Sequence, residues 1–301
     1  MSWCVCYNRR MRNGASDITA GALGGRRSRI WELDFLRGIC VLLMVFDHTM
    51  YDIALQFGNT WYAATDSEFL RELILRAREY WHSDLRYTVQ DIVVWLFALL
   101  CGISCSFSKN NFKRGVEVAL FAGIITVVTT LIETPITFGI LHMFAFSILL
   151  WVIVDICCGG DKHKTALVCL VLGLAIIFID YGFTQVYERD RYAFADDDAF
   201  FWLAQWMKGA APNSADAVSS ADYYPVFPTT GYMLIGAAIA PVLYPKRRSL
   251  LPWLGEYNWY APFSFWGRHA LWVYVLHQVV LAVIFAIISA LFVTPGDFVI
   301  I

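Results

Sequence analysis

Long apolar runs recur along the chain and are joined by short polar segments. A helix needs about 20 mostly apolar residues to cross a bilayer, and seven stretches come close to this length. The pattern predicts an all-α fold, a polytopic membrane helical bundle in which residues 31–301 form a single domain. The predicted spans are 36–56, 88–107, 115–133, 138–158, 165–183, 227–244 and 270–293.

Two further segments have helical character without the length of a span. Residues 67–81 repeat apolar side chains at helical spacing, with Leu70, Ile74 and Leu75 opposite charged residues. This amphipathic pattern predicts a helix that lies on the membrane surface in the first loop. Residues 196–210 are too short for a span and begin with three aspartates, so an interfacial helix is predicted there as well.

The basic residues of the loops predict which side of the membrane each loop faces. Short cytoplasmic loops carry an excess of Lys and Arg. With seven spans, four basic clusters fall on one side, which places the N-terminus in the cytoplasm and the C-terminus outside. Residues 1–30 lack the apolar core of a signal peptide and are predicted to be a mobile cytoplasmic tail. The clusters lie at 26–29, 109–114, 162–164 and 246–248.

Composition narrows the class of protein further. The chain is 58% hydrophobic and 16% charged, whereas soluble domains have about 25% charged residues. A net charge of −2 gives no indication of a nucleic-acid partner. The eight cysteines form no paired CxxC motifs, so they are interpreted as small apolar residues. Neither a disulfide framework nor a metal site is expected.

The first span carries ionisable residues that are costly inside a bilayer. An Asp at the centre of a membrane helix costs roughly 2.5–3.5 kcal/mol and usually has a function. Tyr51 and Asp52 lie three and four residues after His48, so all three can share one helical face. A nearby carboxylate can fix the tautomer of an imidazole and raise its basicity, as a general base requires. Asp47 points elsewhere, and a structural network between helices is the alternative.

Histidines also occur in other predicted spans. His82 and Asp91 flank the start of the second span, His142 lies in the first turns of the fourth, and His277 lies in the seventh. With His48, four of the six histidines are predicted to lie in the bundle interior or its outer half. Their convergence from four spans favours a functional site over a set of structural contacts.

Basic residues cluster on the predicted cytoplasmic side. Guanidinium and ammonium groups bind phosphates well, so these residues are candidates for holding a phosphate-rich ligand. The alternative is an ordinary positive-inside cluster. No Walker-type phosphate loop accompanies them. The candidates are Arg37, Arg268, Lys109 and Arg114.

Five stretches together carry a recognisable signature. They are "RIWELDFLRGICVLLMVFDHTMYD", "FALLCGISCSFSKNNFKRG", "FGILHMFAFSILL", "YYPVFPTTGYMLIGAAIA" and "FWGRHALWVYVLHQ". In this order they resemble bacterial members of the heparan-alpha-glucosaminide N-acetyltransferase family, within the transmembrane acyltransferase superfamily. The resemblance covers most of residues 29–292.

The resemblance implies an enzyme. An acyl group, usually acetyl, is transferred from cytoplasmic acetyl-CoA to a sugar or glycan acceptor on the other side of the membrane. A buried histidine serves as the base or as a transient acyl carrier. In the lysosomal member of the family the key histidine matches His82, with Asp91 as its nearby acid. That member has an asparagine where this chain, like the bacterial members, has His48. Both His48 with Asp52 and His82 with Asp91 are therefore candidates for the catalytic groups.

The resemblance also implies roles for the remaining candidates and for the whole protein. A cell membrane location, plasma or inner, and a possible homodimer are expected. The acceptor is expected to contact His142, His277, Tyr51 and Asp47, and acetyl-CoA to contact Arg37, Arg268, Lys109 and Arg114. Two other functions stay open. Intramembrane His and Asp also form the proton relays of transporters, although no internal repeat is visible, and a non-catalytic membrane subunit is the other alternative.

Overall fold

The computed structural model describes residues 30–190 and 223–292, and within these ranges it contains helices and connecting loops but no β-strand. Six helices are long and apolar enough to cross a membrane, and a seventh apolar helix is shorter. The predicted all-α polytopic bundle is confirmed. In chain order the elements are α1 (Trp31–Tyr51), a short π-helix (Asp52–Gln56), α2 (Gly58–Ala64), α3 (Glu68–Trp81), α4 (Asp84–Phe107), α5 (Asn111–Leu131), α6 (Ile140–Cys157), α7 (Lys162–Asp190), α8 (Thr229–Leu243), a 3-10 turn (Pro252–Tyr257), α9 (Ala261–Arg268) and α10 (Ala270–Phe292).

The short helix α8 is the predicted sixth span, and its 15 residues fall below the usual length of a span. Most of its side chains are buried against α4 and α7, so its apolar character reflects contacts with protein on several sides. The number of spans and their orientation stay predictions. The predicted tail at 1–29, the interfacial helix at 196–210 and the end of the chain from 293 lie outside the described residues.

Glycines allow α4 and α8 to touch through their backbones. A Cβ atom at Gly102 would overlap the carbonyl oxygen of Met233, and one at Gly236 would overlap that of Leu99. Small residues at such crossings let membrane helices approach closely. The crossing holds α4 in place, and α4 is the helix whose two ends carry the groups described below.

The amphipathic helix predicted at 67–81 is present as α3. Leu70, Ile74 and Ala77 form its buried face and pack against the π-helix and α2. Leu75, which was assigned to the apolar face, is 45% exposed. It follows Ile74 directly, so it is rotated by about 100° out of the stripe that residues three and four apart share.

The two ends of the bundle differ in their charged side chains. The start of α1 lies beside the end of α4, where Arg37 donates a hydrogen bond to the carbonyl oxygen of Leu100 at 3.2 Å. We call this end of the bundle the basic end and define it by Arg37, Arg114 and Arg268. The other end, which we call the opposite end, contains α3 and the start of α4.

Candidate functional site

A cavity of about 400 Å³ lies at the basic end of the bundle, among α1, α4, α5, α6, α9 and α10. Its size lies within the range of small-molecule pockets, roughly 300–1,000 Å³. Three of the four residues predicted to bind the coenzyme line it. Lys109 does not, because it is exposed in the turn between α4 and α5. The polar lining consists of Asp34, Arg37, Ser104, Arg114, Glu117 and Arg268.

Arg37 is held firmly where α1 meets α4. Its Nη1 donates to Asp34 Oδ1 at 3.1 Å, and its Nη2 donates to the carbonyl oxygen of Leu100 and to the hydroxyl of Ser104. The residues of "DFLRG" place Asp34 one helical turn before Arg37, so the ion pair forms within α1. This fixed guanidinium still faces the cavity.

Arg114 and Arg268 are less completely paired. Arg114 Nη2 donates to the sulfur of Cys101 at 3.7 Å, and Arg268 Nε donates to the carbonyl oxygen of Ser264 at 3.1 Å. Among the described residues neither guanidinium forms an ion pair with a carboxylate. The nearby Glu117 is paired with Lys113 instead, at 3.6 Å. Arg114 is half-buried, whereas Arg268 is exposed, and a positive charge held away from bulk water is stabilised by a counter-ion. The lining is therefore suited to an anionic ligand.

The far wall of the cavity leads to two histidines. Met44 and Tyr274 line the cavity, and their carbonyl oxygens accept hydrogen bonds from His48 Nδ1 at 3.0 Å and His277 Nδ1 at 2.6 Å. The two rings lie edge to face, with centroids 4.8 Å apart. The histidine pair is thus one helical turn beyond the cavity lining, on two different helices.

The hydrogen bonds of the pair define which ring nitrogen carries the proton. A carbonyl oxygen accepts only, so each neutral imidazole has its hydrogen on Nδ1 and a lone pair on Nε2. His277 Nε2 is buried without a hydrogen-bond partner among the described residues. Buried polar atoms normally have partners, and an exception calls for a functional explanation. Both Nε2 atoms are chemically able to accept a proton from a substrate.

Asp52 connects the helices that carry the two histidines. It begins the π-helix, is 1% exposed and accepts hydrogen bonds from Gln278 Nε2 at 3.1 and 3.0 Å on its two oxygens. The sequence pattern placed Asp52 beside His48, and the structure adds a bond to α10. Gln278 was not among the predicted site residues. The available signal was its position directly after His277.

Asp47 was predicted to contact the substrate, and its carboxylate is hydrogen-bonded to side chains at the opposite end of the bundle. Its carboxylate accepts hydrogen bonds from Arg86 Nε at 2.9 Å and Nη2 at 2.8 Å, and from the Tyr80 hydroxyl at 3.1 Å. The guanidinium of Arg86 also stacks on Trp81, 3.7 Å from the ring centroid. Burial of Tyr80, together with the Asp47 carboxylate, raises the pKa of its hydroxyl to about 12. This cluster joins α1, α3 and α4.

Two other predicted catalytic groups lie apart from the histidine pair. His82 is the C-terminal cap of α3 and its side chain is exposed, and Asp91 is exposed on α4. Neither lines the cavity, and the described contacts include none between them. Tyr51 packs on Trp81, with ring centroids 4.9 Å apart. The roles assigned to His82, Asp91 and Tyr51 stay predictions.

His142, a predicted substrate contact, is hydrogen-bonded at the junction of α5 and α6. Its Nδ1 accepts a hydrogen bond from the Gly139 amide at 3.2 Å, and its Nε2 lies 3.1 Å from the Thr126 hydroxyl. The Thr126 hydroxyl in turn donates to the carbonyl oxygen of Ile136 at 2.7 Å. Both ring nitrogens therefore have partners. Of the four histidines predicted to converge, the structure brings two together.

Comparison with known proteins adds the chemistry of a family. A family model described as heparan-alpha-glucosaminide N-acetyltransferase, catalytic, matches residues 29–279. The chain belongs to this family. No curated protein and no solved structure matches the chain. The match extends from the start of α1 into α10, so the basic-end cavity and the histidine pair both lie within the acetyltransferase domain. Family and helices together make the protein a multi-pass membrane acetyltransferase.

Within the described residues, no group of three His, Cys, Asp or Glu side chains is arranged to hold a metal ion.

Proposed function

We propose that the protein transfers an acetyl group from acetyl-CoA, bound in the basic-end cavity, to a sugar or glycan acceptor on the far side of the membrane. One observation carries the proposal. Arg37, Arg114 and Arg268 line one cavity, and two of them have no carboxylate partner among the described residues. Coenzyme A carries phosphates, which arginine binds through charge-assisted and often bidentate hydrogen bonds.

The distance between the arginines and the histidines suits this donor. Arg37 and His48 are separated by eleven residues of α1, which is about 16 Å along the helix axis. The pantetheine arm of coenzyme A separates its phosphates from its thioester by a comparable distance. Phosphates at Arg37 and Arg114 therefore direct the thioester toward the end of the cavity where Met44 and Tyr274 hold the histidine pair.

The reaction follows from the lone pairs of the histidines. His48 Nε2 takes the proton from an acceptor amine or hydroxyl, which attacks the thioester carbonyl, and the coenzyme thiolate leaves. His277 positions the acceptor through its buried Nε2, and the bond between Asp52 and Gln278 keeps α1 and α10 aligned. General acid–base catalysis supplies about 10²–10⁴-fold of rate. A two-step route through an acyl-histidine is the alternative, and His82 is the alternative base.

The remaining features complete the proposal. The basic end faces the cytoplasm, where positively charged loops are retained, and the acceptor enters from the opposite end. The protein resides in the plasma or inner membrane as one transmembrane domain, residues 31–301, behind the tail at 1–30. A homodimer is part of this prediction and is checked by crosslinking in native membranes.

Two measurements test the proposal. In the first, acetyl-CoA is titrated into purified protein by calorimetry, and saturable binding that Arg37→Ala weakens is expected. In the second, acetyl transfer to glucosamine is followed in sealed vesicles. His48→Ala reduces turnover by about 10²–10⁴-fold, whereas His163→Ala, at an exposed position in the first turn of α7, leaves it unchanged.

Either measurement can reject part of the proposal. Absence of acetyl-CoA binding to the wild-type protein contradicts the assignment of the cavity. A folded His48→Ala protein with wild-type turnover removes His48 as the base, and the same experiment with His82→Ala then decides whether the alternative holds.

A further inference from the structure

Two cysteine thiols lie beside the cavity, one turn apart on α4. Cys101 lines the cavity and is 6% exposed, and Cys105 is completely buried. The proposed function uses neither of them.

Cys101 is distinguished by its positively charged surroundings. Arg114 Nη2 donates to its sulfur at 3.7 Å. Arg37 binds Leu100 and Ser104 in the same turn of α4, so a second guanidinium lies next to the thiol. The thiolate is the nucleophilic form of cysteine, and neighbouring cations stabilise it. Cys101 therefore combines the electrostatic conditions of a reactive thiol with a position on the wall of a cavity.

Cys40 provides an internal comparison. It lines the same cavity from α1 and is 2% exposed. Among the described hydrogen bonds, none joins a guanidinium to its sulfur, in contrast to Cys101. Cys169 on α7 is buried outside the cavity lining. Arg37 lies one helical turn from Cys40 and interacts with Cys101 as well, so the three thiols separate the effect of the cavity from the effect of Arg114.

We propose that Cys101 is a modification site at which small uncharged electrophiles close the cavity to its ligand. The electrophile class is that of activated alkenes. The sulfur forms a bond to the β-carbon, the carbon–carbon π-bond breaks, and the proton lost by the thiol ends on the α-carbon. The addition is balanced and needs no further reactant.

The consequence for ligand binding follows from the geometry and rests on the proposed function of the cavity. An adduct on Cys101 occupies part of a space of about 400 Å³. It also replaces the thiol that accepts the hydrogen bond from Arg114. The modified protein is therefore expected to lose acetyl-CoA binding, which makes Cys101 a point of control over the donor.

The first part of the test measures reactivity without reference to acetyl-CoA. The full chain in detergent, with Cys4, Cys6, Cys157 and Cys158 replaced by Ser, is treated with N-ethylmaleimide and labelled peptides are followed by mass spectrometry over time. The thiol of Cys101 is expected to react about tenfold faster than that of Cys40, and Cys169 more slowly still.

An Arg114→Gln variant sharpens the result. It is expected to slow labelling of Cys101 and leave that of Cys40 unchanged, with size-exclusion elution as the check on folding. Equal rates for Cys101 and Cys40, or no reaction at Cys101, overturn the assignment of a reactive thiol. An unchanged Cys101 rate in a folded Arg114→Gln protein overturns the role of the arginine.

The second part measures acetyl-CoA binding by calorimetry before and after labelling. Labelling is expected to abolish binding, bound acetyl-CoA to slow the labelling of Cys101, and Cys101→Ser to show the same binding with and without maleimide. If untreated protein binds acetyl-CoA and the Cys101 adduct binds it equally well, control of the donor is overturned. If untreated protein does not bind, the proposed function fails, while the labelling rates still decide whether Cys101 is a reactive site.

Discussion

Two arginines in the first turns of consecutive membrane helices have contrasting environments. Arg86, in the first turn of α4, makes two hydrogen bonds to the Asp47 carboxylate and stacks on Trp81. Arg114, in the first turn of α5, donates to the thiol of Cys101 and faces the cavity. The first charge is neutralised within the protein, and the second is available to a ligand. Pairing, rather than the presence of a basic residue, separates a structural arginine from a binding one.

The structure also separates two acids that lie five residues apart in the chain and that the sequence assigned to one site, Asp52 as a catalytic group and Asp47 as a substrate contact. Asp47 was a predicted substrate contact and lies in the structural cluster at the opposite end. Asp52 binds Gln278 and so links the two histidine-bearing helices. An acid next to a candidate histidine in the chain is thus not equivalent to an acid that supports it in space.

The largest effect on stability is expected from breaking the ion pair between Asp47 and Arg86. Asp47→Asn leaves the charge of Arg86 buried and uncompensated, and Arg86 is 6% exposed. Removing one partner of a buried ion pair costs about 3–5 kcal/mol. We expect the free energy of unfolding, measured by denaturant titration in detergent, to fall by this amount.

The matched control is Glu72→Gln, which breaks the exposed pair between Glu72 and Arg76. Exposed pairs contribute about 0–1 kcal/mol. If Asp47→Asn is no more costly than Glu72→Gln, the opposite end is not held by this ion pair and the comparison of the two arginines collapses.

The second-largest effect is expected from a substitution that pushes α4 away from α8, because α4 carries charged side chains at both of its ends. Gly102→Ala places a methyl group onto the carbonyl oxygen of Met233, a backbone atom that cannot turn aside. Overpacking costs about 1–3 kcal/mol or more, and we expect a lower thermal midpoint with weaker acetyl-CoA binding. Gly123→Ala on α5 is the control, because a Cβ there meets no atom within 4 Å. Equal stability of the two variants would show that α4 and α8 do not meet as described.

A smaller effect on stability, but a clear effect on ligand binding, is expected from Arg114, which forms no ion pair with a carboxylate among the described residues. Arg114→Gln removes a charged donor from the cavity, and a hydrogen bond to a charged group is worth about 1.5–3 kcal/mol. The Kd for acetyl-CoA should therefore rise by about 10–100-fold, while the thermal midpoint changes little. Lys162→Gln, at the exposed first residue of α7, serves as the control in the same calorimetric titration. A large loss of stability in Arg114→Gln without a change in Kd would place Arg114 in the structural class of Arg86.

The smallest effect concerns alkaline pH at the opposite end. The pKa of the Tyr80 hydroxyl rises from 10.0 to about 12 on folding, because burial and the Asp47 carboxylate disfavour the phenolate. The folded state keeps this proton after the unfolded chain has lost it. The resulting stabilisation is complete below pH 10 and is lost as the pH rises toward 12.

Tyr80→Phe tests this assignment because it removes the titrating group. We expect the wild-type thermal midpoint to fall more steeply than that of Tyr80→Phe between about pH 10 and pH 12. Tyr257→Phe, at a residue that is 82% exposed, should follow the wild type. Parallel curves for wild type and Tyr80→Phe would show that Tyr80 is not held against Asp47.

Local properties of the chain were sufficient for the fold class. Apolar length predicted the membrane helices, and helical spacing predicted the buried face of α3 with Leu70 and Ile74. Both depend on residues close together in the chain, so a single sequence contains the information. The sequence also predicted three of the residues that line the cavity, because basic residues at helix ends on one side of a bundle share a location. They are Arg37, Arg114 and Arg268.

The tertiary structure decided which polar groups meet. Asp47 and Arg86 are 39 residues apart, and Asp52 and Gln278 are 226 apart, so no periodicity connects them. The pairing of His48 with His277, the capping role of His142 and the exclusion of Lys109 from the cavity likewise depend on how the helices cross. Glycines such as Gly102 let distant helices touch through their backbones, and a backbone contact between distant helices leaves no repeating pattern in the chain.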